Sequence, residues 1–216
     1  SLMDNKPGRN DRAIRAQVFP SQKYVKTMLA NRKQGMKSFD FMLEADTSPI
    51  DRITRRYPGV VILKPVSTCP QICVYCQRNW EIEQVMAPGS FAAESEIDSA
   101  VSWIKAHPAI REVLVTGGDP FIMSDRQLEL LLNKLADIPH VDLIRIGTRT
   151  LVTLPMRITD SLSELLGRFR EPGHRDIAVM THIEHPYEIT PETVSAVDKL
   201  KSQGIGVYNQ QVYTFF

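Results

Sequence analysis

The chain has 216 residues, of which 43% are hydrophobic and 24% charged, and its 26 basic and 25 acidic residues leave a formal charge of +1. That balance fits a soluble globular protein and argues against any blanket attraction to nucleic acid or an anionic membrane surface. No apolar run approaches the roughly 20 residues needed to cross a bilayer, and the N-terminus has no apolar signal stretch, so the reducing cytoplasm is the expected compartment.

Residues 1–55 are polar and mixed. Helices are expected over Gln22–Asn31 and Lys37–Glu44, with no strand, as an N-terminal helical extension. The basic residues from Lys6 to Arg15 and from Arg52 to Arg56 are too sparse for a nucleic-acid patch and read as a solvated face. From residue 56 to 216 a regular rhythm runs as one domain. Val60–Leu63 is an apolar strand, Ala93–Ala106 a helix with Ile97, Val101 and Ile104 at helical spacing, and Glu112–Thr116 a second strand. Ser124–Leu135 is a leucine-rich helix and Leu143–Gly147 the third strand. Thr159–Arg170 is the next helix and Ile177–His182 the fourth strand. Thr190-Pro191 opens a further helix, with proline where a missing N–H does no harm. Gly204 to Gly206 closes it, and Val207–Val212 is the fifth strand.

Strands alternating with helices predict right-handed βαβ units and a parallel sheet. The polar and glycine residues fall at the strands' C-terminal ends, the rim where a parallel barrel or an open doubly wound sheet builds its site. The fold class expected is therefore α/β, a partial (β/α) TIM-like barrel of parallel strands with an N-terminal helical extension. Phe216 follows a strand directly, so the barrel is expected to be truncated at its C-terminus.

All three cysteines, Cys69, Cys73 and Cys76, lie in one C-x3-C-x2-C run after the first strand, with Tyr75 before the last. Three thiolates can hold three irons of a [4Fe–4S] cubane and leave the fourth open to a chelating ligand, whereas four-cysteine runs ligate every iron. A structural zinc would want a fourth ligand, and all five histidines lie far along the chain, from His107 to His185. An odd, tightly grouped trio is no disulfide framework. A non-catalytic cluster or zinc scaffold stays open as the alternative of a different class. If the open iron takes the amino and carboxylate groups of S-adenosylmethionine, Gly117-Gly118-Asp119 after the second strand suits its methionine end. The glycines allow close backbone approach, although Gly-Gly-Asp-Pro is also an ordinary turn.

The cysteine loop followed by a glycine pair resembles the radical S-adenosylmethionine superfamily. Further strings resemble the lysine 2,3-aminomutase family more closely: Arg56-Tyr57-Pro58, Cys76-Gln77-Arg78, Thr116-Gly117-Gly118-Asp119, the run from Arg145 to Thr150, Leu154 to Thr159, Thr181 to Pro186, Glu188-Ile189-Thr190, and Asn209-Gln210. They run in order from Arg56 to Gln210. The resemblance implies a radical isomerase that moves an amino group between adjacent carbons of lysine or a related amino acid. A [4Fe–4S] cluster, S-adenosylmethionine and pyridoxal phosphate would be its cofactors. It also implies a reducing electron donor such as flavodoxin or ferredoxin, and leaves homo-oligomerisation open.

Carried over by motif, Cys69, Cys73 and Cys76 would ligate the cluster and Tyr75 would lie near the adenine. Gly117, Gly118 and Asp119 would border the methionine end, and His182 and Gln210 would line the adenosyl side. Arg56 and Tyr57 match the pair that contacts pyridoxal phosphate. Arg78 matches the arginine that pairs with the substrate carboxylate, a task suited to a guanidinium fork. Plainer readings stand beside these: Arg56 as a surface arginine, Arg78 as neutraliser of the anionic cluster, His182 as an interior histidine. Arg145 and Arg149 read as structural, through carboxylate pairing. Three departures count. Val60 stands where the family often has a second basic residue, Gln77-Arg78-Asn79-Trp80 follows the cysteine loop where the family often has several arginines, and no lysine here matches the Schiff-base motif. A radical S-adenosylmethionine enzyme of other substrate, without pyridoxal phosphate, is the runner-up.

Overall fold

The protein is described from a computed structural model, in which residues 5–6, 8–33, 40, 42–78, 81–82 and 84–212 are placed. Helices α1 (Arg9–Ala16) and α2 (Gln22–Lys33) come first. Strand β1 (Ile53–Tyr57) and strand β2 (Val60–Val66) follow, then α3 (Glu94–Lys105), β3 (Glu112–Gly117), α4 (Asp125–Ala136) and β4 (Leu143–Gly147). The remainder is α5 (Thr150–Thr153), α6 (Asp160–Gly167), β5 (Asp176–Thr181), α7 (Pro191–Ser202) and β6 (Gly206–Asn209).

Among the described residues the six strands form one sheet in the order β1-β2-β3-β4-β5-β6. Pairing from β2 to β6 is parallel, in registers such as Val61 with Val113, Val113 with Ile144, and Ile144 with Ile177. Consecutive order without reversal is how a (β/α) barrel is built; a doubly wound sheet reverses at a switch point. Alternation along each strand sends Val61, Leu63, Val113, Val115, Ile144, Ile146, Ile177 and Val179 to one face. They share a single core with Ile97, Ala100 and Ile104 of α3, Leu128, Leu131, Leu132 and Leu135 of α4, the leucines of α6, and Ala196 and Leu200 of α7. Burial of each such aliphatic chain is worth about 1.5–3 kcal/mol, so this helix-covered face dominates the fold's stability. The other face, with Lys64, Leu114, Arg145 and Met180, is only half-buried.

Local chemistry sets the helix starts. Ser124 Oγ accepts from the Gln127 N–H at 3.3 Å while Gln127 Oε1 accepts from the Ser124 N–H at 2.9 Å, a reciprocal cap for α4. Thr190 caps α7 ahead of Pro191.

Four expectations are corrected. The first 55 residues do contain strand: β1 starts at Ile53 and runs antiparallel to β2, pairing Ile53 with Leu63 and Tyr57 with Val60. The sheet is therefore mostly rather than wholly parallel. Adjacent arginines hide the strand in the sequence, although the Pro58-Gly59 turn announces a reversal. Helix α1 was not foreseen, because its apolar residues are one isoleucine and two alanines; it buries Asp11 and Ile14 on one face. Of the helix expected over Lys37–Glu44, residues 37–39 and 41 lie outside the described residues. The described remainder is a turn in which the Asp40 carboxylate accepts from the Glu44 and Ala45 N–H groups, both at 2.9 Å. The last strand ends at Asn209, short of Val212.

Candidate radical cofactor site

The cysteine loop leaves the C-terminal end of β2 and is held from several sides. The Thr68 hydroxyl donates to Gln84 O at 2.9 Å and accepts from the Ala87 N–H at 3.0 Å, so the chain folds back on the residue before Cys69. The Cys76 N–H donates to Cys73 O at 3.0 Å, and the Val74 N–H to Gln17 O, at the end of α1, at 2.8 Å. All three cysteines are free and half-buried.

Beside this loop lies the glycine turn at the end of β3. The Gly118 N–H donates to Val66 O at 2.7 Å, and the Asp119 N–H to Thr68 O at 3.0 Å. A Cβ on Gly118 would fall 2.1 Å from Thr68 O and 2.6 Å from Thr68 N, which no relaxation of a side chain could relieve. Gly117 has φ +108°, a conformation that disfavours any side chain. The glycine pair thus serves first to let two backbones touch, which seats the turn against the cysteine loop.

Asp119 turns its carboxylate inward. Oδ1 accepts from the Thr148 hydroxyl at 2.6 Å and the Phe121 N–H at 3.0 Å, and Oδ2 from the Arg149 N–H at 2.9 Å. Burial pushes its carboxyl above the usual range, opposed by these donors. It ties the ends of β3 and β4 together, so what it offers a ligand is backbone rather than carboxylate.

The sulfurs lie in a polar setting. Arg149 Nη1 donates to Cys73 Sγ and the Arg78 backbone N–H to Cys76 Sγ, both at 3.3 Å. Burial pushes the Cys69 thiol far up, with Asp119, Cys76 and Cys73 adding to it, and burial raises Cys76 as well. Burial thus disfavours bare thiolates at Cys69 and Cys76, and cations held among the sulfurs would offset that cost. Among the described residues no group of three or more histidine, cysteine, aspartate or glutamate side chains converges on one metal ion. Cubane thiolates bind different irons and need not converge. The donor set, the mutual proximity and the N–H groups aimed at sulfur fit a cluster.

The remaining rim residues gather around this loop. Tyr75 lies with its ring centroid 6.4 Å from that of His182 and 5.7 Å from the Arg149 guanidinium. Burial drives its hydroxyl well above the usual phenol range. His182 follows β5 and faces Glu184 Oε1 with Nδ1 at 3.4 Å without a hydrogen bond. Thr181 Oγ1 is likewise buried and unsatisfied, so this side of the rim has polar capacity for a ligand. Gln210 is exposed next to it, its N–H donating to Thr181 O at 2.8 Å.

Arg78 is engaged within the protein. Its Nη1 lies 2.5 Å from Glu44 Oε2 and 3.5 Å from Glu81 Oε2, and its Nη2 donates to Glu44 Oε1 at 2.9 Å. Glu81 also pairs with Lys64 at 2.9 Å. A substrate carboxylate would have to share the fork with Glu44 or displace it. Arg56 and Tyr57 are not brought to this rim. Tyr57 pairs with Val60, at the opposite end of β2, about 20 Å along the strand from the cysteine loop, and both side chains are exposed.

Sequence reasoning missed Glu44, Gln17 and the second contact of Arg149. The carboxylate pairing expected of the two arginines holds, Arg145 with Glu112 and Arg149 with Glu188. The position of Arg149 two residues past β4, at the rim, was the signal that it could also reach the cysteines.

A family model described as Radical SAM superfamily matches residues 63–212, an interval that contains the cysteine loop, the glycine turn and every strand end of the rim. The chain belongs to this superfamily. Membership implies a [4Fe–4S] cluster and S-adenosylmethionine. Among curated proteins, the radical SAM chain is 47% identical to an uncharacterized KamA family protein of Methanocaldococcus jannaschii over 96% of its own length and 33% of the relative's. It is 40% identical to a glutamate 2,3-aminomutase of Clostridioides difficile, over 82% of the chain and 40% of that protein. It is 34% identical to an L-lysine 2,3-aminomutase of Clostridium subterminale, over 98% of the chain and 47% of that protein. The chain thus spans a third to a half of the length of these relatives. Among the described residues, no helix is long and apolar enough to cross a membrane.

Proposed function

We propose that this chain is the radical-generating part of an aminomutase that moves an amino group between adjacent carbons of lysine, glutamate or a related amino acid. The observation that carries the reading is the trio of free cysteines packed against the Gly117-Gly118 turn. Similarity to both a glutamate and a lysine 2,3-aminomutase supports the reaction class and leaves the side chain of the substrate undecided between acid and base.

When bound, the cluster and S-adenosylmethionine supply a carbon-centred radical that takes a hydrogen atom from the substrate. Cys69, Cys73 and Cys76 hold the irons as thiolates. Gly118 keeps the β3 turn against that loop, and Asp119 locks the turn to the end of β4. Tyr75, His182 and Gln210 border the adenosyl side, and Arg78 receives the substrate carboxylate once Glu44 yields part of the fork. The sheet closes further into a TIM-like barrel around these groups. A low-potential electron donor of the flavodoxin or ferredoxin kind delivers the electron in the cytoplasm.

Pyridoxal phosphate belongs to this reading by family likeness, and no step is routed through it. One observation favours the second reading, a radical SAM enzyme of other substrate without that cofactor: Arg56 and Tyr57 stand exposed at the far end of β2, and Val60 is apolar.

The test is anaerobic reconstitution of the full-length protein, followed by incubation with reductant, S-adenosylmethionine, pyridoxal phosphate and either lysine or glutamate. The aminomutase reading expects the corresponding β-amino acid. Release of 5′-deoxyadenosine with neither β-amino acid nor a bound pyridoxal chromophore selects the second reading.

A further inference from the structure

Arg149 is the one residue of the described rim whose side chain joins a cysteine sulfur, the N-terminal helix and the loop after β5. It is 8% exposed. Nη1 donates to Cys73 Sγ at 3.3 Å, Nε to His182 O at 3.3 Å, and Nη2 to Glu188 Oε1 at 2.6 Å and to Gln17 Oε1. Its backbone N–H is held by Asp119. Gln17 and Glu188 are themselves buried, and Glu188 Oε2 accepts from the Glu184 and His185 N–H groups at 2.7 and 3.2 Å. The guanidinium therefore has no freedom to swing away from Cys73.

A guanidinium stays charged at any working pH. In a setting of reduced dielectric its field on a sulfur 3.3 Å away is strong. Hydrogen bonds to cysteine sulfur and local charge are among the factors that set the potential of an iron–sulfur cluster. The redox step takes one electron from a low-potential one-electron carrier, [4Fe–4S]2+ becoming [4Fe–4S]1+, with no bond made or broken. The added negative charge is stabilised by a fixed cation and opposed by a nearby carboxylate.

We propose that Arg149, fixed by Gln17 and Glu188, is a positioning residue that orients Cys73 and raises the reduction potential of the cluster the three cysteines hold. Helix α1 is thereby part of the redox site, through the Gln17 side chain on Arg149 and the Gln17 carbonyl on the Val74 N–H. The inference rests on the cluster reading above and adds a residue that reading does not use.

The test compares three single substitutions in the reconstituted full-length protein: Arg149→Gln, which removes the cation; Gln17→Glu, which adds a carboxylate beside it; and Glu188→Gln, which removes one. Iron and sulfide are measured first. Midpoint potentials are then taken by dye-mediated titration, followed by the EPR signal of the reduced cluster. The expected shifts are to more negative potential in Arg149→Gln and Gln17→Glu, and to more positive potential in Glu188→Gln. Structural damage alone would not give shifts whose sign follows the added charge. Midpoints equal to the parent's in all three, at full iron content, overturn the proposal. If Arg149→Gln retains no cluster, the other two decide, since neither replaces a residue that touches a cysteine sulfur. A parent protein without cubane iron fails at the first measurement, overturning the cluster reading and this inference with it.

Discussion

Arg78 and Glu44 meet as a buried fork-to-fork pair, with Nη1 2.5 Å from Oε2 and Nη2 2.9 Å from Oε1. Gln77 Nε2 adds a second donor to Glu44 Oε1 at 2.9 Å. Glu44 lies well before the cysteine loop in sequence, so this pair ties the N-terminal segment to the loop.

Removing one partner of a buried pair leaves the other uncompensated. Glu44→Gln is expected to cost about 3 kcal/mol, measured by urea unfolding at matched iron content. A change below about 0.5 kcal/mol, the range of ordinary surface substitutions, would mean that the pair is not formed.

The same pair separates two roles of Arg78. If the fork also receives a substrate carboxylate, Arg78→Lys, which keeps the charge and loses the bidentate geometry, raises KM by about tenfold or more. If it only braces the loop, KM stays put and iron retention falls. Steady-state kinetics alongside iron analysis reads both.

Two glycines differ sharply in what an added methyl meets. At Gly118 it would collide with Thr68 backbone atoms, while at Gly173 (φ +84°) nothing lies within 4 Å. Gly118→Ala is therefore expected to lose about 3 kcal/mol or more and to lower iron content, because the β3 turn and the cysteine loop must part. Gly173→Ala should lose only about 1 kcal/mol of backbone strain. Paired thermal melts and iron assays test the contrast; equal losses would contradict it.

Much of this is legible in the sequence. The strand ends, the capped starts of α4 and α7 and the cysteine loop each follow from short-range chemistry, and the loop's purpose follows from ligand count. The reason for Gly118 was legible only in part. Close approach was foreseen, but the partner is Thr68, a contact that depends on β2 and β3 lying side by side. Strand β1 was hidden because Arg55 and Arg56 interrupt its alternation, and α1 because Ile14 is the one large apolar residue on an inward face that also carries Asp11. Glu44 and Gln17 were invisible because their roles lie in pairings across long stretches of chain.

Glu96 supplies a pH-dependent contribution. Hydrogen bonding to Arg52, at 3.1 and 3.3 Å, and to the Ala93 N–H at 2.6 Å holds its carboxyl below the usual range. A lowered folded pKa means that the stabilisation is present above the unfolded value of about 4.3 and is lost as pH falls through the folded one. Glu96→Gln should lower the melting midpoint by about 2 °C at neutral pH, and the gap to the parent should narrow as pH falls below about 4.3. A gap that does not narrow on acidification would contradict this.

Cys69, Cys73 and Cys76 are expected to hold a cubane whose fourth iron binds S-adenosylmethionine. EPR of the reduced, anaerobically reconstituted protein, with and without S-adenosylmethionine, is the decisive measurement. The prediction is a [4Fe–4S]1+ spectrum that changes on addition of the sulfonium compound. Cys73→Ala should lose both that change and the release of 5′-deoxyadenosine. A spectrum indifferent to the addition, or a Cys73→Ala protein that releases 5′-deoxyadenosine at the parent's rate, would contradict it.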